Sequence, residues 1–309
     1  MPNYAVIDLG SNSVRLVVFE VENDRKRSRA YTSKDFRSLI NDKVMAGLAA
    51  YVEDGSFTEA GVKKAISVLK GHIKRSKYFR CKRVDVFATA VLRNAKNSAD
   101  AVAAIEEGTG LPIALLSARA EAHLGFVGAT CDRAIERGTL IDIGGGSTEL
   151  TRIDRGKERD NVSLGQGSLS SYARFVRDIL PTPEEAERIR ASFQLLLDDL
   201  PDRTAFEAET LYGIGGSVRA AAKMYAQTHG DGIRPKTLTP DQVAGILALR
   251  QSDASAYAHS ALKASAERIH TLTPGCLILE TLLRRLGASR LEICKYGIRE
   301  GYLIERMLR

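Results

Sequence analysis

Two short stretches carry residues whose types and spacing can do chemistry. In Val6-Ile7-Asp8-Leu9-Gly10-Ser11-Asn12-Ser13 an apolar run takes in one acid and then breaks into small turn formers. The second half of the chain repeats the arrangement in Ile141-Asp142-Ile143-Gly144-Gly145-Gly146-Ser147-Thr148-Glu149. Glycine has no Cβ to keep an approaching anion away, so such a turn can present bare backbone N–H groups as a phosphate nest. Asp, Gly, Asn and Ser are also ordinary turn formers. Three consecutive glycines, however, carry an entropic cost that close approach of a ligand explains. The acid before each turn, Asp8 or Asp142, offers the hard oxygen that Mg²⁺ takes, with capping of the turn as the alternative role. The sequence has no G-x-x-x-x-G-K-[ST], no G-x-G-x-x-G after a strand, no G-x-S-x-G and no H-E-x-x-H, so Walker, Rossmann, serine-hydrolase and zincin chemistries lack their anchors.

The elements around these turns read as α/β. Apolar, β-branched runs at 4–9 and 14–19 flank the first turn and predict a hairpin. Val62, Ile66, Leu69 and Ile73 fall at helical spacing after Thr58, a natural N-cap. A strand at 84–88, a helix from Ser98 to about Gly108 or Gly110, a strand at 113–116 and a helix at 118–129 complete the first half. The pattern restarts with strands at 139–143 and 148–153 about the second turn, so two similar halves are implied. Helices are predicted at 183–200, 217–227, 240–250, 254–269, 274–286 and 299–308, with strands at 211–214 and 291–294. Strands that alternate with helices mark an α/β layer. The expected division is a domain of residues 1–125 and another of 126–309, with the last helix, about 299–309, able to pack back on the first.

The 309 residues suffice for two such domains, with 44% hydrophobic and 27% charged residues, which excludes a disordered chain. No run approaches the length of a membrane helix and no signal peptide leads the chain, so a cytoplasmic protein without membrane contact is expected. Four dispersed cysteines, Cys81, Cys131, Cys276 and Cys294, read as buried thiols, not as a disulfide or zinc framework. The net charge of +7 favours polyanionic partners. Nine basic residues and no acid lie between Gly61 and Val84, either a solvated helix face or the wall of a polyanion channel. Arg25-Lys26-Arg27-Ser28-Arg29 is read as a hairpin tip. No nucleic-acid reader motif accompanies the charge, and Trp is absent.

Six segments in order resemble the exopolyphosphatase and guanosine pentaphosphate phosphohydrolase family, in its short two-domain form, within the sugar-kinase, Hsp70 and actin superfamily. They are Asp8 to Ser13, Ala88 to Asn97, Ser117 to Leu124, Ile141 to Leu150, Gly213 to Ser217 and Gly297 to Gly301. The resemblance implies two RNase H-like (actin-like) α/β domains around an interdomain cleft. It implies hydrolysis of the terminal phosphate of inorganic polyphosphate, with guanosine pentaphosphate as the alternative substrate. It casts Glu121 as the catalytic base and Glu149 as a second carboxylate that orients the water or a metal. Arg93 matches the family's phosphate-binding arginine, with Arg268 a fainter candidate. Ser11, Asn12, Ser13, Gly144, Gly145, Gly146 and Ser147 become the substrate-binding turns. Asp142, Glu149 and Asp8 become ligands for Mg²⁺, or Mn²⁺ in its place. A homodimer is an expected state.

The sequence departs from the family pattern at Ala120, where a second acid is common, at His270 and Lys295, where aspartates are expected, and at Ser217, a usual threonine. Two other readings stand beside the hydrolase: a phosphotransferase with a nucleotide pocket around 213–219, and a non-catalytic sensor that binds polyphosphate or an alarmone.

Overall fold

The computed structural model describes residues 1–22, 30–229 and 232–309. The basic segment 25–29 lies outside the described residues. The chain forms two compact units, one of Met1–Ala134 with Tyr296–Arg309, the other of Ile135–Lys295.

In the first unit β1 (Asn3–Leu9), β2 (Val14–Val21) and β3 (Phe36–Val44) form an antiparallel meander. A small hairpin, β4 (Val52–Glu53) and β5 (Ser56–Phe57), leads into α1 (Glu59–Tyr78). The Thr58 hydroxyl accepts from Gly61 N at 3.2 Å, so the helix starts where its cap dictates. Then come β6 (Cys81–Ala88), α2 (Ala90–Arg93), α3 (Ser98–Thr109), β7 (Ile113–Leu115) and α4 (Ala118–Thr130). β6 and β7 join the sheet in parallel, giving the order β3-β2-β1-β6-β7. Both faces of the sheet are covered, which is why β1 is apolar on both sides. Ala5, Ile7 and Leu9 meet Ala65 and Leu69 of α1, whereas Val6 joins Phe87 and Leu124 of α4 in a separate core.

The second unit repeats the plan. β8 (Arg137–Ile143), β9 (Thr148–Asp154) and β10 (Lys157–Leu164) form the antiparallel meander. After α5 (Ser168–Phe175) and α6 (Pro183–Asp198), β11 (Thr210–Ile214) runs parallel to β8 and feeds α7 (Gly215–Thr228). β12 (Thr237–Leu238), α8 (Pro240–Ser252), α9 (Ala254–Ser265), α10 (Ile269–Arg285) and β13 (Arg290–Ile293) complete it, in the order β10-β9-β8-β11-β13-β12. A meander continued by parallel strands in both units is the RNase H-like α/β plan. Four residues close each central hairpin, since Leu9 pairs with Val14 and Ile143 with Thr148.

The last helix, α11 (Ile298–Tyr302), and the turn that follows lie in the first unit, where Tyr302 stacks on Phe87 at 5.0 Å. α11 crosses α4 backbone to backbone: a Cβ at Gly301 would overlap the Leu124 carbonyl, and one at Gly128 the Gly297 carbonyl.

Three differences from the sequence reading have physical causes. α4 runs through residue 125, so a division at that point would cut an element. Pro274, expected to open a helix, lies inside α10; residues 271–283 are buried throughout, and their packing carries the helix past the missing N–H. The edge strands β3 and β10 went unread because their outward residues are mostly polar.

Candidate active site

Both central hairpin turns tie back their carbonyls and leave their N–H groups bare. In the first, Ser11 O accepts from Ala49 N and Asn12 O from Gly47 N, both at 2.9 Å. The N–H groups of Ser11, Asn12 and Ser13 have no acceptor among the described residues, and Asn12 Nδ2 is buried without one. In the second, Gly144 O accepts from Ser168 N, and Gly145 O from Leu169 N and Ser170 N, each at 2.9 Å. These donors are the first N–H groups of α5. Gly167 allows the approach, since a Cβ there would lie 2.7 Å from Gly144 O. The N–H groups of Gly145, Gly146 and Ser147 again find no acceptor among the described residues. Such turns suit anions.

Arg93 and Glu121 meet in the first unit. Arg93 closes α2, directly after β6, and Glu121 sits in the first turn of α4 behind the Ser117 cap. Arg93 Nη1 donates to Glu121 Oε2 at 2.6 Å and to Leu116 O at 3.2 Å. Its Nε and Nη2 make no hydrogen bond to a described residue, which leaves the side of the guanidinium able to take two phosphoryl oxygens.

The two strand aspartates have different cross-strand neighbours. Asp142 pairs across the sheet with Glu149, and Glu149 with Ser163. Glu149 is only 3% exposed, and its Oε1 accepts from Ser147 Oγ at 2.7 Å and Ser163 Oγ at 2.8 Å. Asp8, at the matching level of the first unit, is in register with Arg15, which is in register with Lys43. Arg299 of α11 donates to Asp8 Oδ2 from Nη1 at 2.8 Å.

This contrast tests the metal assignments. Mg²⁺ takes one or two carboxylates and completes its shell with water and substrate phosphate. Asp142 and Glu149 supply that donor set. Asp8 already faces a guanidinium, so it fits the role of an ion-pair partner. Among the described residues no group of three or more His, Cys, Asp or Glu could hold a metal alone.

β11 brings a third backbone element to the second unit's turn. Gly215, at φ +83°, lies against Asp142, whose Oδ1 fills the place a Cβ would take. The Arg268 guanidinium occupies the corresponding place at Gly216, and Ser217 Oγ donates to Ile143 O at 2.9 Å. His270 meets Tyr172 edge-on at 5.0 Å; burial first, and Arg268 second, hold its imidazole below the ordinary range.

The structure thus gathers Asp8, Ser11, Asn12, Ser13, Arg93 and Glu121 in one unit, and Asp142, Gly144, Gly145, Gly146, Ser147, Glu149 and Arg268 in the other. Sequence reasoning missed Arg299, Ser163 and Gly167 as parts of these sites. Arg299 stood in a quoted motif, but nothing in its spacing pointed to Asp8. None of the four cysteines forms a disulfide; burial pushes the Cys276 thiol up to about 12 and the Cys81 thiol up to about 11. No described helix is long and apolar enough to cross a membrane.

Comparison with known proteins places the chain. The chain is similar to Exopolyphosphatase 1 of Mycobacterium bovis, 25% identical over 317 residues that cover 98% of this chain and 87% of the relative. It is 26% identical over 314 residues to Exopolyphosphatase 1 of Mycobacterium leprae, covering 98% and 88%. Among solved structures, the Aquifex aeolicus Ppx/GppA family member superposes with a TM-score of 0.77 at 23% identity, over 99% of this chain and 98% of that one. An exopolyphosphatase from Cytophaga hutchinsonii gives 0.81 at 20% identity, over 97% and 96%. Both establish the fold. Residues 27–309 match the Ppx/GppA phosphatase family, and the chain belongs to it.

Proposed function

We propose that the protein is an exopolyphosphatase that hydrolyses the terminal phosphoanhydride bond of inorganic polyphosphate and releases orthophosphate. As a phosphoanhydride hydrolase it must position a water in line with the scissile bond, accept its proton and neutralise charge on the phosphoryl oxygens. The single observation that carries the reading is the Arg93–Glu121 contact at 2.6 Å, which joins an anion-binding cation to a proton acceptor in one side-chain pair.

In this mechanism Arg93, fixed through Nη1, grips the terminal phosphoryl group with its Nε and Nη2 donors. Glu121 takes the proton of the attacking water as the oxygen bonds to phosphorus and the bridging P–O bond breaks. Within the first unit the bare N–H groups at Ser11 to Ser13 hold phosphate oxygens without any change of protonation, and in the second unit those at Gly145 to Ser147 offer an anion the same kind of donor. In the second unit Glu149, fixed by two serine hydroxyls, and Asp142 would hold Mg²⁺, which when bound supplies charge neutralisation to a phosphate.

Orthophosphate release from polyphosphate and from guanosine pentaphosphate, with Mg²⁺, tests the reading in the native protein and in Glu121→Gln. The expected result is release from polyphosphate that falls about 10²–10⁴-fold in the variant. Release unchanged by Glu121→Gln, or none from polyphosphate by the native protein, overturns it; a preference for guanosine pentaphosphate reassigns the substrate.

A further inference from the structure

The nine basic residues between Gly61 and Val84 divide into two groups once their partners are known. Lys63 pairs with Glu59 at 2.6 Å, Arg75 with Asp42 at 3.1 Å and Arg83 with Asp85 at 2.6 Å. Lys64, Lys70, Lys74, Lys77, Arg80 and Lys82 are exposed, and their side chains have no hydrogen bond or ion pair to a described residue. Lys70, Lys74 and Lys77 recur at i, i+4, i+7, so they form one line along α1. Like charges at that spacing destabilise a helix. The helix dipole compensates only within the last turn, which covers Lys77 but not Lys64 or Lys70.

Arg80 adds an independent observation. It sits just beyond the end of α1 at φ 48°, a left-handed position that glycine takes at less cost. The chain there keeps a cation at a strained backbone position, three residues beyond Lys77. Repulsion is tolerated along the lysine strip of α1, and strain just beyond the helix end.

The strip also has a definite place relative to the proposed site. The Asn97 side chain exchanges two hydrogen bonds with the Phe57 backbone, at 2.8 and 2.9 Å, and Lys96 N donates to Gly55 O at 2.8 Å. These contacts join the entry of α1 to the loop that follows Arg93. At about 1.5 Å per residue, the helix then carries its cations about 30 Å away, toward Arg80 and Lys82.

We propose that this strip is a docking track for the distal part of a long polyphosphate chain whose terminal phosphate is held at Arg93. The proposal rests on the polyphosphate reading above. A linear polyanion releases counterions along its whole length as it lies on such a row of cations. Tripolyphosphate is too short to span the helix and gains nothing from it. A base-reading partner is disfavoured because Tyr78 is the one aromatic residue exposed among these cations.

The test is the triple variant Lys70→Gln/Lys74→Gln/Lys77→Gln, whose glutamines keep the helix propensity. Long-chain polyphosphate should bind the full-length variant about tenfold more weakly, with a shallower salt dependence. KM for long chains should rise alike, while tripolyphosphate is turned over as by the native protein. Binding measured directly on Glu121→Gln, with and without the triple change, reads the track even if the hydrolase reading fails. Arg80→Gly should weaken long-chain binding while raising the melting temperature. Equal affinity of native and triple variant for long chains overturns the proposal, as does an equal loss toward tripolyphosphate. Single-stranded RNA that displaces long-chain polyphosphate from the native protein but not from the variant would make RNA the occupant instead.

Discussion

Arg299 reaches across almost the whole length of the chain to donate to Asp8 at 2.8 Å, and both side chains are largely buried. The contact ties the C-terminal helix to the strand that leads into the first anion-binding turn. Truncating Arg299 leaves a mostly buried carboxylate without that charged donor. Arg299→Ala should therefore lower stability by about 2 kcal/mol, read from urea unfolding, and Arg299→Lys should recover part of it. An unchanged midpoint would show that the pair contributes nothing.

Arg93 is expected to act mainly on the chemical step. Its Nη1 is already committed to Glu121 and Leu116, so Arg93→Ala removes phosphate donors and also the donor that holds Glu121 Oε2. Loss of one well-placed transition-state donor costs about 10²–10³ in rate. Steady-state kinetics of orthophosphate release should show the drop in kcat more than in KM. Arg93→Lys should remain far below the native rate, because an ammonium cannot replace two parallel donors.

Gly301→Ala tests the close crossing of α4 and α11. The added methyl would overlap the Leu124 carbonyl oxygen, which belongs to a helix backbone and cannot turn aside. Overpacking of this kind costs about 1–3 kcal/mol. Thermal unfolding should register it clearly, whereas an alanine at Gly245, with open space around it, should not destabilise the fold.

Acid should weaken the fold through His72. The side chain is fully buried on α1, with Nε2 3.3 Å from Val14 O, and burial lowers its pKa although the Val14 carbonyl and Asp42 pull the other way. The unfolded chain therefore binds a proton near pH 6.5 that the native state still refuses. Stability is complete above that value and is lost as pH falls from about 6.5 toward the native pKa. His270 contributes with the same sign. Urea midpoints at pH 7 and pH 5 should differ more for the native protein than for His72→Gln.

The hairpins, the α1 cap and both turns were legible because they rest on local rules: alternation, capping and the small residues of a nest. The division of labour between the two aspartates was not. Asp8 and Asp142 stand in nearly the same local sequence, and only cross-strand register, with Arg15 beside one and Glu149 beside the other, tells them apart. Ser163 escaped notice for the same reason, since its strand is polar on the outside. Pro274 misled because proline is a start signal only where the rest of the helix could begin there; buried packing on both sides of it decided otherwise.

The tied-back carbonyls of the two turns also determine which sign of charge can enter. Rotating a peptide plane there would aim oxygen instead of hydrogen at a ligand and turn an anion seat into a cation seat. For Gly144 and Gly145 that rotation would break the bonds from the α5 amides, and for Ser11 and Asn12 those from Ala49 and Gly47. The selectivity of these turns is thus written in backbone orientation alone. It has no proton to gain or lose, so it persists at any pH at which the fold itself survives.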